Sequence, residues 1–134
     1  MALRVTTFVL LTLLLASAFL CPGTARAVRT HCPVGALVLP ASGIEQAVKA
    51  AARVAATTYP GLNTQGATVI SAKRATSAGP RGAEVGRQCG ALARARTVIV
   101  EMRFPRMLPS ASLSEGVVDV SRFEGGYRVW AVVR

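Results

Sequence analysis

The spacing of apolar and polar residues predicts one helix followed by strands. Between residues 43 and 58, apolar residues recur every three or four positions and therefore lie on one face of a helix. Ser42 and Glu45 have the spacing of a capping box at the start of this segment. Glu45 also stands four residues before Lys49, which favours an ion pair along the helix. Residues 59–61, Tyr-Pro-Gly, end it.

The rest of the chain has the pattern of β-strands separated by turns. Alternation with a period of two is clearest where apolar residues occupy every second position from 98 to 104. We predict a turn-rich link over 76–82 and a weak strand segment around Cys89. We also predict a loop or strand crossing over 105–114, because its two prolines are incompatible with a regular central strand. The four main strands are predicted over 67–75, 94–104, 117–123 and 127–134.

The last two strands are predicted to form a hairpin. Gly125-Gly126 is a strong signal for a two-residue turn between them. With that turn, one face of the hairpin is almost wholly apolar and belongs against the helix, and a shift of one residue would exchange the two faces. The predicted pairs on the apolar face are Val118 with Val133, Val120 with Ala131, and Arg122 with Val129.

The opposite face of the predicted sheet mixes aromatic, charged and small polar side chains. Aromatic and arginine side chains are common anchors of interfaces, and an apolar body with a polar rim suits a small pocket. The predicted binding residues are Trp130, Phe123, Arg128, Arg103 and Asp119. The alternative is that Trp130 packs in the interior beside ordinary solvated charges. The whole face comprises Thr97, Ile99, Glu101, Arg103, Asp119, Ser121, Phe123, Arg128, Trp130 and Arg134.

One helix followed by about four antiparallel strands predicts an α+β fold, in which an N-terminal helix packs on a curved sheet. This order resembles the cystatin-like and nuclear-transport-factor-2-like rolls. The segment that begins at Pro109, PSASLSEGVVDVSRFEGGYRVWAVVR, also looks like uncharacterised exported proteins of high-GC bacteria. A cystatin-type inhibitor should carry Gln-x-Val-x-Gly, whereas residues 82–86 read Gly-Ala-Glu-Val-Gly. The resemblance therefore implies a shape and no activity.

The first 27 residues have the organisation of a secretory signal peptide. A basic residue precedes an uncharged apolar stretch from Val5 to Leu20, and Ala25-Arg26-Ala27 offers small residues to a signal peptidase. The alternatives are a retained membrane anchor, cleavage after Ala18, or lipid attachment at Cys21, which lacks a small residue before it. Cleavage after residue 27 leaves 28–134 as a single domain without a transmembrane segment, secreted or held in the periplasm or at the exterior of the cell envelope.

After such cleavage the chain keeps two cysteines, Cys32 and Cys89. In an oxidising compartment two cysteines are most simply one disulfide. A bond across 57 positions stabilises by about 4 kcal/mol in the chain-entropy model. Two free buried thiols are the alternative. Because His31 is the only histidine, no metal site is predicted.

Positive charge is the strongest feature of the composition. The chain has 16 basic and 6 acidic residues, a net charge of +10, which becomes +8 once Arg4 and Arg26 are removed. A basic exported domain attracts polyanions, so the expected partner is an anionic cell-envelope polymer or another protein. The arginines are scattered and poorly interleaved with aromatics, so no specific nucleic-acid binding is predicted. Abundant arginine and alanine are also typical of GC-rich genomes, which gives the charge a second explanation.

Motifs for catalysis are sparse. The chain contains no Gly-x-Ser-x-Gly nucleophile motif, and no cofactor is predicted. Among the six acidic residues, only Glu101 and Asp119 are expected to share a sheet face. The sequence therefore predicts an exported, non-catalytic binding protein. A small enzyme with Glu101 or Asp119 as acid or base, and a structural envelope protein, are the alternatives.

Overall fold

In the part of the chain that the structure describes, two α-helices cover opposite faces of a four-stranded antiparallel sheet, so the fold is α+β as predicted. The structure is a computed structural model that describes residues 31–58, 66–104 and 115–133. The helices are α1 (Gly43–Thr58) and α2 (Gly79–Ala95), and the strands are β1 (Thr68–Arg74), β2 (Thr97–Arg103), β3 (Glu115–Phe123) and β4 (Gly126–Val133). The predicted signal peptide (1–27), helix stop (59–61) and loop (105–114), and Arg134, lie outside the described residues.

The strands lie in chain order, β1-β2-β3-β4, and each pairs antiparallel with the next. This confirms the four predicted strands, whose ends differ from the observed ones by at most three residues. The largest difference is at the start of β2, because residues 94 and 95 still belong to α2. Among the described strands, β1 and β4 are the two edges of the sheet.

The face of the sheet toward α1 holds the larger hydrophobic core, and we call it the α1 face. It is built from fully buried side chains at every second position of β2 and β3: Val98, Val100, Met102, Val118 and Val120. Each buried valine contributes roughly 1.5–3 kcal/mol relative to an exposed one. The predicted apolar face of α1 packs on them through Ala47, Ala51 and Ala55, and Ala50 is buried beside these residues. The predicted ion pair is also present, with Lys49 Nζ 2.5 Å from Glu45 Oε1.

The second helix, α2, corrects the sequence prediction, which placed a link and a weak strand between residues 76 and 93. Its apolar contact is small, since among the described residues Val85 and Ala93 of the helix are buried with only Ala75 and Ile99 on this side. Four glycines dilute the helical pattern, and at Gly90 the backbone leaves the helical region with φ +86°. The local sequence therefore gives a weak helix signal, and long-range contacts stabilise α2 instead.

A glycine allows α2 to approach the 3-10 turn Ala75–Ser77 that precedes it. A Cβ atom placed on Gly82 would lie 1.7 Å from the carbonyl oxygen of Ala75. Only glycine fits such a contact without movement of the backbone. The glycine that weakens the helix signal in the sequence is thus required by the packing of the helix.

The segment before α1 is fixed to both α2 and the sheet. The predicted disulfide joins Cys32 to Cys89 of α2. The Leu37 N–H donates a hydrogen bond to the carbonyl oxygen of Arg122 in β3 over 2.7 Å. Leu39 then enters the core of the α1 face. Residues 32–39 therefore reach from the α2 side of the sheet to the α1 side.

The β3–β4 hairpin has a different register from the predicted one. Its turn is Glu124-Gly125, one residue earlier than predicted, because Gly126 takes φ +110° and becomes the first residue of β4. Because the two glycines are adjacent, the sequence does not determine which pair of residues forms the turn. The predicted partners are wrong: Arg122 pairs with Tyr127, Val120 with Val129, and Val118 with Val132.

A β-bulge in β4 changes the register a second time. Val129 lies opposite Val120 and Ala131 opposite Asp119, so Trp130 is an extra residue between them. Between the turn and the bulge, each β3 residue pairs with a β4 residue two positions earlier than predicted. This even shift keeps the β4 side chains on their predicted face. Beyond the bulge the pairing differs from the predicted one by a single position, so the β4 side chains lie on the face opposite to the predicted one.

Candidate functional site

Three of the five predicted binding residues come together at the turn end of β4. The guanidinium of Arg128 lies over the ring of Phe123, with its Cζ atom 4.0 Å from the ring centroid. Trp130 stands two residues further along β4 and lines a cavity together with both of them. We call Phe123, Arg128 and Trp130 the hairpin cluster.

Two cavities flank β4 at this cluster, one on each face of the sheet. The first has a volume of about 430 Å³ and lies between α1 and β4; we call it the α1 cavity. The second has a volume of about 280 Å³ and lies beside residues 31–34, which carry the disulfide; we call it the disulfide-side cavity. Arg128, Val129 and Trp130 line both cavities. This part of β4 is therefore accessible from both faces.

The α1 cavity has a mainly apolar wall along the helix and is closed on the other side by residues of β4. Its helix wall consists of Ala50, Val54 and Thr57. Two polar atoms of β4, Trp130 Nε1 and the Tyr127 hydroxyl oxygen, are shielded from solvent and form no hydrogen bond with the described residues. A buried polar group without a partner costs about 1–3 kcal/mol. Both groups therefore favour a hydrogen-bond partner from water or a ligand.

Arg128 is the exposed cation of this site. Among the described residues it forms no ion pair, and most of the described carboxylates have partners elsewhere. Glu124, in the turn, is exposed and lines a third cavity of about 490 Å³ together with Arg128. Since the Phe123 ring supports the guanidinium from one side, its N–H donors stay available to an anion.

The two other predicted binding residues lie apart from the hairpin cluster. Arg103 ends β2 at the opposite end of the sheet, where its guanidinium is 2.8 Å from a carboxylate oxygen of Glu115. Asp119 is completely buried under α2. We call the face of the sheet that α2 covers the α2 face. The predicted open face is therefore covered in its middle. The α2 face comprises Thr97, Ile99, Asp119 and Ser121, all of them buried.

Asp119 is held by Arg81 of α2, a residue that the sequence did not single out. The Arg81 guanidinium donates to Asp119 Oδ2 and, over 2.9 Å, to Glu84 Oε2. Burial raises the pKa of Asp119 to about 6, and the charge of Arg81 offsets this only in part. Burial also lowers the pKa of Arg81, but attraction to Asp119 and Glu84 outweighs it and the pKa is raised overall. The network fastens α2 to the sheet.

The two candidate catalytic carboxylates have separate surroundings. Glu101 is exposed and accepts a hydrogen bond of 2.8 Å from the hydroxyl of Ser71, whereas Asp119 is enclosed with Arg81. Neither lines any of the four cavities that the described residues form around β4 and the disulfide. This arrangement gives no support to acid–base catalysis by either residue.

No family model, curated protein or solved structure matches this chain. Within the described ranges, neither helix combines the length and the apolar character that a membrane crossing requires. In the same part of the chain, no three His, Cys, Asp or Glu side chains are grouped in a way that would hold a metal ion. Function is accordingly inferred from the geometry of the chain itself.

Proposed function

We propose that this protein is exported and binds a partner without catalysing a reaction, through the hairpin cluster and its two cavities. The observation that carries the proposal is the position of Arg128. Its guanidinium is exposed, stacked on Phe123 and located between two cavities, and it has no carboxylate partner among the described residues. Arginine and aromatic anchors beside apolar pockets are typical of recognition sites. The net charge, +10 for the whole chain and +8 without residues 1–27, favours an anionic partner.

Export is proposed from the pattern of residues 1–27 and agrees with the disulfide between Cys32 and Cys89, a bond typical of oxidising compartments. N-terminal sequencing of the protein recovered from the periplasm or the medium tests it. The expected first residue is Val28. Recovery of a membrane-bound chain that retains residues 1–27 would instead support the anchor interpretation.

Fluorescence of Trp130 tests the binding function, because it is the only tryptophan. Three anionic probes represent the expected partner classes: poly-glutamate, heparin and vesicles that contain phosphatidylglycerol. At near-physiological salt, we expect at least one of them to shift the Trp130 emission in a saturable way. The substitution Arg128→Ala should weaken that binding. Arg103→Ala is the matched control, because Arg103 is also an exposed arginine of the sheet but lies at its other end.

Equal effects of Arg128→Ala and Arg103→Ala would contradict the proposal, since they would indicate attraction by overall charge. Loss of the fluorescence response to every probe after a modest increase in salt would also indicate attraction by overall charge. Such results would favour a structural envelope protein that is held by charge alone.

A further inference from the structure

We propose that the partner is an acidic polypeptide segment in extended conformation, which pairs with β4 as a fifth strand of the sheet. This proposal rests on the proposed function, because it uses the same hairpin cluster. It adds the chemical class of the partner, a peptide in which carboxylate and apolar side chains alternate, and the way in which the peptide is held.

The outer side of β4 is open to such pairing. β4 is hydrogen-bonded to β3 on one side, and no described strand pairs with its other side. An edge strand directs the N–H and C=O groups of every second residue outward, where an added strand can bond to them. The bulge at Trp130 interrupts this row, so we expect a short contact centred on Val129.

The two cavities match the alternation of an added strand. Successive side chains of a strand point to opposite faces of the sheet. A peptide beside Val129 would therefore place one side chain in the α1 cavity and the next in the disulfide-side cavity. The α1 cavity offers an apolar helix wall, which suits an aliphatic side chain. Arg128 projects on the other face, where it suits a carboxylate.

The other edge of the sheet, β1, shares an open outer side and a bulge with β4 but lacks its cavities. β1 also carries two adjacent basic residues, Lys73 and Arg74, and charges of this kind discourage pairing at an edge strand. None of the four cavities described around β4 and the disulfide is lined by a residue of β1. β1 thus provides an internal control for strand addition.

Charge complementarity selects an acidic peptide over a second copy of this chain. Two copies joined through β4 would bring two Arg128 side chains together on two molecules of high positive charge. An acidic peptide supplies the carboxylate that Arg128 lacks among the described residues. Glycan or lipid polyanions also supply negative charge, but they cannot continue the backbone hydrogen bonds of a sheet.

The test uses the disulfide-bonded protein and the peptide acetyl-Glu-Val-Glu-Val-Glu-Val-amide. We expect saturable binding by Trp130 fluorescence, together with slower amide exchange at Tyr127 and Val129 by NMR. A peptide with N-methylated valines should not bind, because its backbone cannot pair. Arg128→Ala should weaken binding roughly fivefold. Lys73→Ala, which removes an exposed cation from the other edge, should leave it unchanged.

Other outcomes would overturn strand addition. They are the absence of binding at millimolar peptide, equal binding of the N-methylated peptide, slower exchange in β1 instead of β4, or a dimer formed through β4 without peptide. If the N-methylated peptide binds equally and Arg128→Ala still weakens it, strand addition fails and the proposed function stands. If Arg128→Ala affects none of the anionic probes, the proposed function fails as well.

Discussion

The α1 face and the α2 face of the same sheet are covered by helices in different ways. On the α1 face, a continuous stripe of alanines packs on buried valines. On the α2 face, the helix is held by a small apolar cluster together with a disulfide, a close contact at a glycine and a network of ion pairs. The first helix is therefore held by many similar contacts, and the second by a few specific ones.

This difference determines how each helix responds to change. When one methyl group is lost from a broad apolar contact, the neighbouring side chains still hold the helix in place. Loss of one specific contact removes a large share of what holds α2, because its hydrophobic cluster is small. The most damaging substitutions away from the main core are therefore expected around α2.

Removal of the disulfide should have the largest effect. The double variant Cys32→Ala/Cys89→Ala is expected to lose about 4 kcal/mol of unfolding free energy, because the bond closes a loop of 57 positions. Urea unfolding measures the loss. Hydrogen exchange should then accelerate more in α2 than in α1. Equal acceleration in α1 and α2 would show that the two helices are not held independently.

Loss of Arg81 should come next. Arg81→Ala leaves the Asp119 carboxylate buried without its counter-ion, which is expected to cost about 3 kcal/mol. The control is Arg87→Ala on the same helix, which removes an exposed arginine and should change stability by less than about 0.5 kcal/mol. Thermal or urea unfolding of both variants gives the comparison. Similar costs for the two would mean that the network does not fasten α2.

The third prediction concerns pH. Since the pKa of Asp119 is raised from 3.8 to about 6 in the folded protein, the folded form binds a proton that the unfolded chain releases between those values. The contribution of Asp119 to stability therefore increases as pH falls from 7 to 4, by roughly 2 kcal/mol. Measuring the unfolding free energy of the native protein and of Asp119→Asn at both pH values isolates the contribution of Asp119. A difference between the two proteins that stays constant with pH would contradict the burial argument.

The smallest effect is expected at the interruption of α2. Gly90→Ala places a side chain at φ +86° and should cost about 1 kcal/mol. Gly125→Ala is the control, since this turn glycine has open space at its Cβ position and its backbone is not left-handed. If the two variants are equally stable by thermal unfolding, α2 can adjust its course at residue 90.

Local patterns explain why α1 and the strands were predictable. The apolar residues of α1 recur every three or four positions, and apolar residues fill every second position of β2 from Val98, so the sequence displays the face that each element turns toward the larger core. The disulfide was predictable for a different reason, because two cysteines offer one pairing. These features depend on composition and spacing alone.

The parts that were missed depend on contacts between distant residues. Arg81 and Asp119 are 38 positions apart, and no local pattern indicates their ion pair. Gly82 weakens the helix signal but fits against Ala75 only in the folded chain. In the candidate site, Phe123 and Arg128 were placed on the correct face although the register was wrong, because a shift of two positions preserves the face. The α1 cavity and the disulfide-side cavity could not be predicted, since they form only when α1 and residues 31–34 are in place beside β4.

The extra residue at Trp130 also matters for the comparison of related sequences. A relative with the same sheet but a regular last strand would be one residue shorter there. An alignment without a gap would then match its α1-facing side chains with residues 131 and 133 of this chain, which lie on the opposite face from Val132. Conserved alternation would be scored as a mismatch over the final strand. A single gap opposite Trp130 brings the two patterns back into phase.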